Sequence, residues 1–475
     1  MPKGSPAAAF ASAWDPAQVR RLAHACGEAA VRELVAGEGG PVRAPDFERR
    51  ARALLRQPQG GGAARVPAWL GQLAAASLHQ SHPRAMAQQI AAPIPLAALV
   101  ESTVAALNQS IAVWDMSPAG TLLDREVVRR FQRLLGFPAG AEGSLTPGGS
   151  YANLTALLAA RAALAPRAWS RGGARLALLA GAHTHYSISR AAGIMGLGAD
   201  SVFPIPTDAE FRTDPNGIPA AARAARRAGF RRLVLVATSG STPTGSFDDL
   251  EAFAAAARSL GAWLHVDAAH GGGMAFSPRL RRLLRGLRHA DSVAFDPHKM
   301  MFMPLAAGAV LVRQGERLRG AFEQHAPYLF SPVRRRVADV GPFTIACSQR
   351  FDALKIWLVW QAYGPGLFAE LAEATCATTQ AAYAYCQASQ LLAPAHRPQS
   401  NIFCFRLRQA GAGAAADRRH WEVKEAVNAS GRAYISSTVL DGRRCLRLVV
   451  MNPRSTPRHA EQVLRAVERA VRGRR

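Results

Sequence analysis

The chain has 475 residues, 49% of them hydrophobic and 7% aromatic, the composition of a globular protein large enough for more than one core. Lysine and arginine outnumber aspartate and glutamate 58 to 33, a net charge of +25, yet the basic residues are spread along the chain and no recognition helix or aromatic-studded RNA motif accompanies them, so nucleic acid is not expected as a partner. No apolar run is long enough to cross a bilayer, the stretch Ala7–Ala11 is too brief for a signal peptide, and the six cysteines lack CxxC spacing, which excludes a zinc site or a disulfide framework and predicts a cytoplasmic, reducing location.

Residues 1–84 carry helical patterns interrupted by Gly60–Gly62, and Leu22, Ala25, Ala29, Val31 and Leu34 mark an amphipathic helix. Such a segment buries little by itself, so it is expected to pack on a neighbour or a second subunit. From about residue 120 helices alternate with short apolar runs. Helices are expected near Leu122–Leu135, from Ser150, and near Ser187–Met195, Asp248–Ser259 and Pro278–Leu287; strands are expected at Arg175–Ala180, Leu233–Ala237, Trp263–Asp267, Ser292–Phe295 and Ala307–Val312. This alternation predicts an α/β fold with a mainly parallel sheet covered on both faces, its ligand lying beyond the carboxyl ends of the strands. Beyond residue 350 come a helix at Phe351–Ala362, more helix to about Gln390, strands at Ile402–Leu407 and Cys445–Val450, and a last helix from Pro457, a smaller α+β unit. The expected division is an N-terminal helical segment (1–84), a large domain (85–365) and a small C-terminal domain (366–475).

Four segments carry chemistry. Thr146-Pro147-Gly148-Gly149-Ser150 opens a helix, and two glycines before free helix amides suit a phosphate, although Gly-Gly before a helix is commonly only a turn. Asp267 closes a strand, where a carboxylate serves a metal, a ribose, a pyridinium nitrogen or simply a cap. Asp296-Pro297-His298-Lys299 follows another strand. Lysine occurs only at positions 3, 299, 355 and 424, so an amine placed before the apolar Met300-Met301-Phe302 stands out from ordinary surface charge. Out of water and beside other cations, an amine becomes nucleophilic toward an aldehyde. His185, within His183-Thr184-His185-Tyr186-Ser187, is either a ring that stacks on an aromatic ligand or a structural histidine.

Together these segments resemble the group II pyridoxal-phosphate decarboxylases, which include glutamate, aromatic amino acid, cysteine sulfinate and diaminobutyrate decarboxylases. The resemblance runs from about His82 to Glu468, through Thr146–Leu158, His185–Gly198, Ala237–Leu250, His265–Gly272, Ala290–Val312 and Arg350–Trp357, then Asn428–Gly431 and Arg447–Pro453. It implies a fold-type-I transferase-like architecture, pyridoxal 5'-phosphate as cofactor, and a homodimer with shared active sites. It implies that Lys299 forms the internal aldimine, Asp267 pairs with the pyridine nitrogen, His185 stacks on one ring face and Ala269 packs on the other. Gly149 and Ser150 would hold the phosphate with His298 and a group near Asp296, and Thr242 would lie by cofactor and substrate. Arg350 and Arg447 are either substrate-carboxylate or structural arginines, and Trp114-Asp115 is either a substrate-side-chain contact or a helix-end cap.

The implied reaction is decarboxylation of an L-amino acid to its amine and CO₂. Many members carry a loop tyrosine that returns the proton, whereas Ser331–Gln349 holds none here, and Phe343 and Tyr328 are the nearest aromatics. The proton then comes from Tyr328, His185 or a partner residue, or else decarboxylation-dependent oxidative deamination or another aldehyde-forming lyase reaction becomes the alternative.

Overall fold

Aliphatic and β-branched runs set the strands, and alternation along each one decides which core a side chain enters. The structure, a computed structural model, describes residues 12–35, 37, 39–57, 62–322, 326 and 339–473. Its strands are β1 (Ala85–Met86), β2 (Glu142–Thr146), β3 (Leu176–Gly181), β4 (Val202–Ile205), β5 (Arg232–Thr238), β6 (Trp263–Ala268), β7 (Ser292–Phe295), β8 (Gly308–Val312), β9 (Leu392–Pro394), β10 (Ile402–Leu407), β11 (Tyr434–Leu440) and β12 (Arg443–Val449).

The larger sheet has the order β2-β8-β7-β6-β5-β3-β4, parallel from β7 through β4, with β8 running antiparallel to both its neighbours. Strand β5 shows how the pattern builds two faces: Leu233, Leu235 and Ala237 join one core while Val234 and Val236 join the other. Each of these leucines and valines, fully removed from water, contributes roughly 1.5–3 kcal/mol of transfer free energy. Helices Pro118–Leu135 and Leu250–Leu260 feed the first core, Gly149–Leu164 and Ser187–Ile194 the second. The fold is therefore the α/β, mainly parallel arrangement expected, with helices on both faces.

The smaller sheet, β1-β11-β12-β10-β9, is antiparallel except where β1 joins β11. Its core takes side chains from helices Gly366–Ala388, Gly413–Ala429 and Pro457–Arg472. The N-terminal helices Pro16–Leu34, Phe47–Leu55 and Val66–Ala76 contain no fully buried residue.

Two expectations need correction. Pro278–Leu287 is not an α-helix: it forms 3₁₀ turns at Arg281–Leu284 and Leu287–His289, interrupted by an extended Arg285 and by Gly286 at φ +96°. Strands β1, β2, β4, β9 and β11 were not anticipated: glycine in β2, proline in β4 and serine–threonine content in β11 mask their period, and β1 and β9, of 2 and 3 residues, are too short to show one. Tyr328, Arg334–Arg336 and residues 331–338 of the expected loop lie outside the described residues, as do Lys3, Gly60, Gly61, Arg474 and Arg475.

Candidate active site

Strand order places the ends of β2, β3, β5, β6 and β7 along one edge, and the segments leaving them enclose a cavity of about 320 Å³. All eight residues expected at the site line it: Gly149 and Ser150 after β2, His185 after β3, Thr242 after β5, Asp267 and Ala269 at β6, and His298 and Lys299 after β7. Asn153, Tyr186, Thr238, His270, Asp296 and Leu305 also line it, and apart from Asp296, expected only as lying near a phosphate contact, sequence reasoning gave them no role.

At the helix start, the amides of Tyr151 and Ala152 turn back onto Gly148 O. The amides of Gly149 and Ser150 are left for an anion, at the positive end of the helix. Gly148 has φ +144°, and a Cβ on Gly149 would lie 2.8 Å from Asp296 Oδ2 and 2.9 Å from Ala269 Cβ. A side chain there would fill the cradle. His298 closes it from the other side, with Nδ1 2.6 Å from Ala307 O.

Asp267 is satisfied by donors alone: Ala269 N reaches Oδ1 at 3.1 Å and Asn153 Nδ2 reaches Oδ2 at 3.0 Å. Asn153 is the hub. Its Nδ2 also donates to Ser187 Oγ (2.8 Å), and its Oδ1 accepts from His265 Nε2 (2.9 Å). Burial pushes His265 down to about 4, so it is a neutral ring; with Nε2–H committed to Asn153, its Nδ1 accepts from Ser292 Oγ. The helical spacing from Gly149 to Asn153, one turn, was the available signal for this residue. On the far side, His185 Nδ1 accepts from Ser187 N (3.2 Å) and lies 2.8 Å from Ser187 Oγ. That leaves the ring hydrogen on Nε2. Burial lowers the His185 pKa, so the ring is neutral near pH 7.

Lys299, with 19% of its side chain exposed, places Nζ 3.1 Å from Asp296 Oδ2. Asp296 is almost wholly buried, and its Oδ1 has no hydrogen-bond partner. Neither Arg350 nor Arg447 lines the cavity. Arg350 pairs with Glu101 and Asp352, and buried Arg447 spends its donors on Thr242 O, Pro243 O, Ala87 O and Ser436 Oγ. Arg447 thus ties the small sheet to the turn that carries Thr242. Trp114 and Asp115 sit in a 3₁₀ turn away from the cavity lining, where Trp114 N donates to Asp339, and Phe343 is core, under the guanidinium groups of Arg125 and Arg319.

A glycine-lined anion cradle, a carboxylate oriented by a donor on each oxygen and one amine around a single small cavity define a site for a phosphorylated heterocyclic aldehyde. Comparison with known proteins names the class. The family model described as the pyridoxal-dependent decarboxylase conserved domain matches residues 72–408, and the chain belongs to that family. The L-2,4-diaminobutyrate decarboxylase of Rhizobium meliloti (strain 1021) is 35% identical over 396 residues, 82% of this chain and 78% of that one. Human cysteine sulfinic acid decarboxylase is 35% identical over 294 residues, 61% of this chain and 59% of its own. The crystal structure of mouse CSAD superimposes with a TM-score of 0.89 at 27% identity, covering 96% of this chain and 99% of that one. The protein is a pyridoxal-phosphate-dependent carboxy-lyase of fold type I. Among the described residues no helix is long and apolar enough to cross a membrane.

Proposed function

We propose that this protein converts an L-amino acid to the corresponding amine and CO₂, using the amine of Lys299. The observation that carries the reading is that Lys299, Asp267 and the Gly149–Ser150 cradle share one cavity. Bound there, pyridoxal phosphate supplies an aldehyde for the substrate amine and a protonated ring that takes up the electrons left when CO₂ departs.

The chain's own residues set the conditions for this. The Gly149 and Ser150 amides bind the phosphate, with His298 beside them. Asp267, oriented by Asn153 and the Ala269 amide, holds a proton on the ring nitrogen. Ala269 and His185 would hold the ring of the cofactor, and His185 keeps an Nε2–H at the cavity where a substrate would lie. Thr242 bounds the substrate side, fixed from behind by Arg447. The exposed apolar side chains of the N-terminal helices, Val19, Val31, Leu55 and Leu73 among them, support a homodimer in which residues 1–84 wrap a partner, with 85–365 and 366–475 as large and small domains. The unpaired cysteines fit a cytoplasmic location.

The test is an amino-acid panel, including L-2,4-diaminobutyrate and cysteine sulfinate, scored for CO₂ and for product mass. Borohydride treatment and peptide mapping then locate the bound cofactor. Amine plus CO₂, with the label on Lys299 and lost in Lys299→Ala, is the expected result. Aldehyde as the main product replaces the reading with the oxidative alternative; label elsewhere overturns it.

A further inference from the structure

Lys355, near the start of helix Ala353–Tyr363, lies outside the cavity lining and is wholly buried, in a chain whose other lysines are Lys3, Lys299 and Lys424. A buried ammonium is stable only when its hydrogens find acceptors, and a lysine has three to place. Here Nζ reaches Glu101 Oε1 at 2.7 Å, Asp352 Oδ1 at 3.1 Å and Ala306 O at 3.0 Å. The two carboxylates suffice to balance its charge, and both also pair with Arg350. The carbonyl balances no charge. Ala306 belongs to the segment that joins Lys299 to β8, and among the described residues no other hydrogen bond holds residues 304–306.

We infer that Lys355 is a positioning residue for the cofactor cavity: its hydrogen on Ala306 O fixes the segment that orients His298 beside the phosphate cradle and sets Leu305 at the cavity rim. The inference rests on the functional reading above. Ala306 lies between Leu305, an exposed side chain that lines the cavity, and Ala307. Ala307 N and O lie 3.2 and 2.6 Å from His298 Nδ1, and Ala307 O also accepts from His298 N. The ring so placed packs on the turn that opens the cradle, with Cε1 3.2 Å from where a Gly148 Cβ would stand. Contacts therefore run without a gap from Lys355 Nζ through Ala306 and Ala307 to His298.

A purely electrostatic role makes a different demand. Glu101 and Asp352 need only a cation between them, and arginine is the cation this chain uses almost everywhere else. A guanidinium is broad and planar, with its donors in a fixed fork, whereas an ammonium brings single hydrogens to three acceptors around one point. The Lys355 side chain has 0% exposure, which leaves a larger group no outward room. Lysine at 355 thus answers to the carbonyl as well as to the charge.

Lys355→Met combined with Glu101→Gln removes the Ala306 bond while keeping the buried charges balanced, since Asp352 retains Arg350. Glu101→Gln alone breaks an ion pair and keeps the Ala306 bond, so it is the control. The double variant is expected to bind pyridoxal phosphate about tenfold more weakly or worse, the loss of a hydrogen bond made by a charged group. It is also expected to shift the phosphorus NMR resonance of the bound cofactor. Glu101→Gln is expected to lower the melting temperature of the apoenzyme and to leave affinity and resonance at their wild-type values. Wild-type affinity and resonance in the double variant overturn the inference, as does a loss of affinity in Glu101→Gln that follows its loss of stability. Should the double variant not fold, Glu101→Gln decides: full affinity at a lowered melting temperature supports the inference, and weakened affinity overturns it. If the wild type itself binds no pyridoxal phosphate, it is the functional reading that fails.

Discussion

Asn153 is the residue on which the cavity's orientation depends, since three of its hydrogen bonds tie Asp267, Ser187 and His265 into one set. Replacing it by alanine leaves Asp267 Oδ2 without its side-chain donor and Ser187 free to turn, which in turn releases His185. A buried polar group left unsatisfied costs about 1–3 kcal/mol, so Asn153→Ala is expected to weaken cofactor retention roughly 5- to 150-fold. Equilibrium dialysis of the released cofactor measures this, and retention at the wild-type level would show that Asp267 is held by Ala269 N alone. At this scale the sequence disclosed the reactive residues and hid their supports. Asp267 and Lys299 were visible because an acid closed one predicted strand and a scarce amine followed another. Asn153 and His265 were not: Asn153 had only its place one helical turn beyond Gly149 to mark it, His265 had no distinctive spacing, and their roles exist only once β6 lies beside the helix from Gly149.

Between elements, β8 packs closely against the cradle. Antiparallel pairing sets Gly308 opposite Thr146, and a Cβ there would come within 2.6 Å of Gly148 Cα and 2.8 Å of Gly148 N. Those are backbone atoms, which cannot rotate aside. Gly308→Ala is expected to displace Gly148 and Gly149 and to lower affinity for pyridoxal phosphate by about tenfold or more, a shift of at least about 1.4 kcal/mol. Gly193→Ala is the control: it lies within helix Ser187–Ile194 with nothing near its missing Cβ, and alanine there raises helix stability by up to about 1 kcal/mol. Equal cofactor affinity in Gly308→Ala and wild type, by fluorescence titration, would refute the close-packing argument. Sequence gave β8 as a strand but not its reversed direction, since an apolar run carries no sign of parallel or antiparallel pairing. The expected helix at Pro278–Leu287 failed for a related reason. Its apolar residues fit a helical period, but Gly286 takes a positive φ against the backbone of Leu250 and Glu251 that no local pattern announces.

Across the whole molecule, burial of ionisable groups sets how stability responds to pH. Burial pushes His265 and His396 down to about 4 and His270 to about 3, and lowers His183, His298 and His420 as well. Below their ordinary value of 6.5 the unfolded chain takes up protons that the folded chain refuses, so stability falls as pH drops from about 6.5 toward 4. Two buried acids oppose this. Desolvation raises Asp124 and Asp248 from 3.8 to about 6, so the folded chain holds their protons first, and each destabilises the fold above pH 6 and less so below. His185 and His289 are lowered too, and Asp291 is raised; eight histidines against three acids leave a net loss on acidification. Asp124 allows the two effects to be separated. It is fully buried, neither oxygen has a hydrogen-bond partner, and Arg125 stands 3.7 Å away while bonding Glu142. Keeping it ionised at pH 8 costs about 3 kcal/mol, from a shift of roughly two pH units at about 1.4 kcal/mol each. Asp124→Asn is therefore expected to stabilise the protein at pH 8, and the gain is expected to shrink as pH falls through 6, where the native carboxyl is already neutral. Denaturant melts of both proteins at pH 8 and pH 5 test it. A gain that is the same at both pH values would mean that the substitution acts through packing in helix Pro118–Leu135 rather than through the buried charge.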